Sequence, residues 1–150
     1  MVAEFKVIGC PDNSVELNKL INILKKDQYE IQDIAIDSLM FKSKEMDWIS
    51  FKNKDFKSYR MKRSFEIPNL DDKFYPGFEI YEVCFENEQT AKDYELQLNN
   101  IIRSSDFYNE KQYDYIVRNG NRLIYILARA KMFEEYALLY KSKLEEMINN

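Results

Sequence analysis

The sequence predicts an α+β domain in which an antiparallel or mixed sheet carries about three helices packed on one face. Three observations carry that prediction. Amphipathic stripes with helical spacing alternate along the chain with short runs of period two. An Asn119-Gly120 pair stands between two apolar runs, a pattern that closes hairpins. Hydrophobic residues make up 45% and aromatics 15% of 150 residues, which is material for one core and one domain spanning 1–150.

The elements follow in order. Ala3 to Gly9 reads as an opening strand with Phe5 and Val7 on one face. Pro11-Asp12-Asn13-Ser14 is turn and helix-start chemistry, with Asn13 placed to cap and Glu16 three residues on to answer it. Leu17, Leu20, Ile21 and Leu24 then form a helical stripe, with Lys19, Lys25 and Lys26 away from it. Tyr29 to Ile36 returns as a strand, since its apolar residues are β-branched or aromatic. In the middle third, Leu39 to Ile67, three short alternating runs predict two or three antiparallel strands, and residues 68–77 form a loop.

Phe78 to Glu86 reads as a strand, and Asn87 opens a helix with Ala91, Tyr94, Leu98 and Ile101 on one face. Gln112 to Arg118 and Arg122 to Ala128 flank Asn119-Gly120, where a two-residue turn is expected to place both residues at positive φ. Phe133, Tyr136, Ala137, Tyr140, Leu144, Met147 and Ile148 mark a C-terminal amphipathic helix. The order is β-α-β, a β-rich middle, then β-α-β-β-α, which a sheet with helices layered on it accommodates.

Several chemistries are set aside by composition. The chain has no histidine, so it lacks the usual general base and the usual metal ligand. Three isolated glycines build neither phosphate-cradling loop. No cofactor is therefore expected, and no enzyme activity. The longest apolar run, Leu123 to Ala128, is far short of the roughly 20 residues that cross a bilayer, so no membrane is expected as a partner.

Two cysteines, Cys10 and Cys84, lie 74 positions apart without C-x-x-C spacing. The expectation is two free buried thiols in a reducing compartment, hence a cytoplasmic protein. Val7-Ile8-Gly9-Cys10 resembles the cleavage motif of bacterial lipoproteins. The preceding segment contains Glu4 and Lys6 and lacks the apolar stretch that export requires, so the match reads as accidental. A start further upstream would turn it into the ligand-binding domain of an exported lipoprotein. Cys10 is also the place for a nucleophilic thiol at a helix start, but phosphatase spacing puts arginine where this chain has Glu16.

Asp37 followed by Asp55-Phe56-Lys57 follows the acid, acid-x-lysine order of magnesium-dependent nucleases, in which two carboxylates hold a metal ion and a lysine assists. Asp71-Asp72 and Glu145-Glu146 read as solvated charges.

The net charge is −4, yet residues 39–65 hold eight basic and three acidic residues, a local +5 that leaves −9 elsewhere. Strand parity sharpens this asymmetry. If Leu39, Phe41, Ile49, Phe51, Tyr59, Met61 and Phe65 face the core, then Met40, Lys42, Lys44, Trp48, Lys52, Lys54, Arg60 and Lys62 face outward. Lys57 and Arg63 fall on the core parity and belong at strand ends or a bulge. The candidate binding residues are thus Lys42, Lys44, Lys52, Lys54, Arg60 and Lys62 around Trp48, the chain's one tryptophan.

Such a face suits an acidic protein partner, as in an inhibitor, immunity-type or adaptor module. The competing use is a nucleic-acid backbone with Trp48 stacked on a base, or a magnesium-dependent nuclease. The bland alternative is a solubilising lysine face with Trp48 packed under a helix. A second copy of the chain, joined through the C-terminal helix or an open strand edge, is a further possible partner.

Overall fold

A computed structural model describes residues 7–42, 48–63, 75–104 and 113–150, without the side chains of 103 and 104. Most of the predicted opening strand, Lys44, Phe65 and most of the 68–77 loop lie outside the described residues. The elements are α1 (Val15–Lys26), β1 (Tyr29–Asp33), β2 (Ser38–Lys42), β3 (Trp48–Lys52), β4 (Phe56–Arg63), β5 (Gly77–Cys84), α2 (Glu88–Ser104), β6 (Tyr113–Asn119), β7 (Arg122–Ala128) and α3 (Glu134–Asn149). Short 3-10 turns at Asn53–Asp55 and Lys131–Phe133 precede β4 and α3.

The chain folds as an α+β domain. Five strands pair antiparallel in the order β1-β4-β5-β7-β6, while β2 and β3 pair only with each other as a separate two-stranded sheet. The middle third supplies three strands, as its alternation predicts, but β4 leaves its neighbours and inserts between β1 and β5.

The central strands explain where the helices go. β7 places Ile124, Ile126 and Ala128 on one face and Leu123, Tyr125 and Leu127 on the other, all buried. Both faces of the sheet must therefore be covered. Leu17, Leu20, Ile21 and Leu24 of α1 and Ala137, Tyr140 and Leu144 of α3 pack on the first face with Ile80, Ile124 and Ile126. Ala91, Tyr94, Leu98 and Ile101 of α2 pack on the second, together with Leu39, Phe41, Ile49 and Phe51 of the β2–β3 hairpin. The three helices are thus divided between the faces instead of sharing one, because two apolar parities in β5 and β7 demand two covers.

Local capping differs in detail from the sequence reading. Ser14, not Asn13, is the N-cap of α1, its Oγ accepting the Leu17 N–H. Asn13 instead accepts a hydrogen bond from the Tyr59 hydroxyl. Asn87 caps α2 as expected, accepting the Thr90 N–H at 2.8 Å. The β6–β7 hairpin is present, but Asn119 pairs with Arg122, so the two turn residues are Gly120 and Asn121. Only Gly120 takes positive φ, at 61°, which suits a type II′ turn.

The free-thiol expectation is corrected: Cys10 and Cys84 form a disulfide, with Cα atoms 5.3 Å apart. Sequence spacing gave no warning, since long-range pairing depends on where β5 ends. There the Ile8 N–H donates to the Cys84 carbonyl, and Val7 bridges Phe85, which lays Cys10 against β5. Gly9 makes this approach at φ 65°, and a Cβ on it would stand 2.8 Å from the Lys54 carbonyl oxygen. With its sulfur bonded to Cys84, Cys10 is neither a nucleophilic thiol nor a lipid attachment point.

Burial also sets the behaviour of the tyrosines. Loss of solvent raises the phenols of Tyr29 and Tyr81 from 10.0 to about 12. Tyr94 rises further for the same reason, and Tyr115 and Tyr140 do so with added hydrogen bonds to Glu134 and Asp27. A phenol raised in the folded state contributes stability that is complete below its unfolded value, about 10, and is lost as pH climbs through the folded value. Alkaline titration is expected to hold these phenols protonated until the domain opens. Tyrosinate absorbance from them should therefore rise together with loss of the circular-dichroism signal above about pH 10; full ionisation with the fold intact would contradict this packing.

Candidate functional site

The predicted basic face is divided by the fold into two places. On the outer side of the β2–β3 hairpin, Lys42 lies opposite Trp48, Met40 opposite Ser50, and Ser38 opposite Lys52. Leu39, Phe41, Ile49 and Phe51 point inward and are buried. Period two then forces the tryptophan outward, and Trp48 is 62% exposed instead of lying under a helix. Met40, at 45% exposure, is its diagonal neighbour across the strand pair. Lys54 is exposed in the 3-10 turn that follows, and Asp55 tightens that turn by accepting the Lys52 N–H at 3.0 Å.

Arg60 and Lys62 are not on that surface. Both belong to β4 and share the parity of Glu79, on the face that the hairpin and α2 cover. Lys62 sits over the Tyr75 ring, its Nζ 5.5 Å from the centroid. Arg60 reaches Oε1 of Glu79 at 3.4 Å. The expectation of one continuous cationic face is corrected accordingly: β4 is an interior strand of the large sheet, and Arg60 and Lys62, although exposed, stand beside Glu79 and Tyr75 instead of on the hairpin. Lys57 and Arg63 occupy the second and last positions of β4.

Two buried carboxylates, missed in the sequence reading, organise the centre of β5. Glu79 lies on one face and Glu82 on the other. Glu79 is bound by Arg60 and by Arg129, whose Nε and Nη2 both lie 2.9 Å from Oε2. Two cavities, of about 230 and 300 Å³, share Arg60, Glu79, Leu127 and Arg129 as a common wall. The first continues to Tyr75, Phe78 and Phe133; the second continues beneath the hairpin to Ile34, Ile36 and Tyr125.

Glu82 is wholly buried. Its Oε1 accepts the Ser14 N–H at 3.1 Å and Arg122 Nη1 at 3.0 Å, and its Oε2 accepts the Ser14 hydroxyl at 2.7 Å. Arg122 Nη1 also donates to the Asp12 carbonyl at 2.8 Å. The carboxylate therefore faces the positive end of α1 and a guanidinium at once. The signal for both groups was present in the sequence: glutamates interrupting Gly77-Phe78-Glu79-Ile80-Tyr81-Glu82-Val83-Cys84 must find cations if that strand is central.

The nuclease-like residues sit in the turn before β4 and at its start, and the Asp37 carbonyl accepts the Asn53 N–H of that turn at 3.0 Å. Asp55 is engaged in its 3-10 turn, Asp37 is exposed, and Lys57 lies opposite Glu82 in the strand register. Among the described residues, no group of three or more acidic or cysteine side chains is placed to hold a metal ion. No described helix is long and apolar enough to cross a membrane. Comparison with protein families, with curated proteins and with solved structures finds no match to this chain.

Glu82→Ala leaves Arg122 and the N–H and hydroxyl of Ser14 without their acceptor, so chemical denaturation is expected to report a loss of about 3–5 kcal/mol. Ser14→Ala should cost about 1 kcal/mol by comparison. Reduction of Cys10–Cys84 should cost about 2–4 kcal/mol, and thiol titration of the unfolded, unreduced protein should find no reactive sulfur.

Proposed function

We propose that this protein is a non-enzymatic interaction module that binds an acidic protein surface through the outer face of the β2–β3 hairpin, in the manner of an inhibitor, immunity-type or adaptor domain. The observation that carries this reading is the exposure of Trp48, at 62%, on a strand whose alternate residues are buried. A tryptophan held in water on a regular strand forgoes the burial its large apolar ring would gain. Tryptophan is also among the residues that most often dominate binding energy once a partner covers them.

The surroundings of Trp48 indicate what kind of partner fits. Met40 extends the apolar patch along the hairpin, with Lys42 opposite Trp48 at one end and Lys52, followed by Lys54, at the other. Opposite charge on a partner would speed encounter and fix orientation. With Arg60 and Lys62 placed elsewhere, three described lysines remain on the hairpin and the turn that follows it. That is a small set for tracking a phosphate backbone, on a chain of net charge −4, and it favours the protein partner over nucleic acid. The Cys10–Cys84 bond supports an oxidising compartment as the working environment in preference to the cytoplasm.

The test is quantitative binding to whatever the wild-type chain retrieves from host extract after nuclease treatment. Trp48→Ala is expected to weaken that complex at least about 30-fold while leaving the thermal midpoint unchanged. Lys42→Glu with Lys52→Glu should lower the association rate and flatten its salt dependence. A partner that binds the Trp48→Ala variant as tightly as wild type, or that disappears with nuclease, would overturn the reading.

A further inference from the structure

A second site, independent of the hairpin, is built around Glu79. The carboxylate is 5% exposed and needs one cation for neutrality, yet two guanidinium groups converge on it. The cluster thus carries a surplus positive charge. Arg129 places two of its N–H groups on Glu79 and Arg60 places one, so donors remain on both, five being available to each guanidinium. Their side chains are 56% and 60% exposed, which leaves those donors open to a solute. Glu79 holds the planar groups in place, so a ligand meets donors already oriented.

The cavity of about 230 Å³ supplies the rest. It is cationic at the shared wall and apolar beyond it, where Tyr75, Phe78 and Phe133 line the space. Lys62, set over the Tyr75 ring, adds a further cation at the rim. Pockets for drug-sized ligands run from about 300 Å³ upward, so this one suits a smaller body, of the size of one ring. We propose that Arg60 and Arg129, positioned by Glu79, form the anion-recognising end of a small-molecule site that takes one-ring aromatic carboxylates. The carboxylate lies across the two guanidinium groups, where forked donors match its geometry, and the ring lies against Tyr75 and Phe133.

The test is a titration of the full chain, labelled with ¹⁵N, with 3-phenylpropanoate and separately with the uncharged 3-phenylpropanamide. Saturable shifts are expected at the Arg129 Nε–H and at the amides of Phe78, Leu127 and Phe133. The amide probe should bind at least about tenfold more weakly, because it forfeits the charge-assisted bonds. Arg129→Gln should weaken the acid by a similar factor. Arg60→Gln, which leaves Glu79 its closer partner, provides the same comparison should the first variant lose its fold. Absence of saturable shifts in the wild-type chain, equal binding of acid and amide, or unchanged affinity in a folded variant would each overturn the site.

Discussion

A carboxylate without solvent, Glu82, is the constraint on which the arrangement of this domain turns. Burying an isolated carboxylate is too costly to occur unaided, so the fold must bring it a cation and donors. It receives Arg122 from β7 and both the N–H and hydroxyl of Ser14 at the start of α1. Three elements distant in sequence are thereby fixed at one point. The same Ser14 Oγ accepts the Leu17 N–H, so the cap of the helix and the neutralisation of the strand are one hydrogen-bonded chain. Close by, Cys10–Cys84 ties the segment before α1 to the end of β5, and Asn119 in the β6–β7 hairpin reaches Glu16 at 2.8 Å. The first turn of α1 is held from several sides.

Glu79 poses the same problem on the opposite face and is solved differently. Its partners are half-exposed arginines at the margin of the sheet, not a helix terminus beneath a covering layer. One carboxylate therefore locks architecture, while the other organises a surface. The difference follows from parity: Glu82 faces α1, whereas Glu79 lies where the hairpin cover gives way to open cavities.

Elements whose identity depends on local pattern were legible in the sequence. The stripes of α1 and α2 name their buried residues, that of α3 includes buried Ala137, Tyr140 and Leu144 among half-buried neighbours, and the alternation of β2 and β3 places Trp48 outward. What stayed hidden was set by contacts between distant segments. Nothing in Phe56–Arg63 says that it joins β1 and β5 instead of β3, and that one pairing choice moves Arg60 and Lys62 away from the hairpin face. The division of helices between two faces depends on both parities of β5 and β7 being apolar, a pattern that is visible once those strands are taken as central. Ser14 displaces Asn13 as the cap because Glu82 sits beneath it, a reason that no local window contains.

The disulfide has a topological consequence. With Cys10 and Cys84 joined, α1 and β1 to β5 lie on a closed covalent ring, while α2, β6, β7 and α3 hang from it as a linear tail. A single break in the backbone anywhere within the ring leaves the molecule in one covalent piece. The connections inside it, including the one between β2 and β3 beside Trp48, can therefore be lengthened, cut or rewritten without separating the pieces they join.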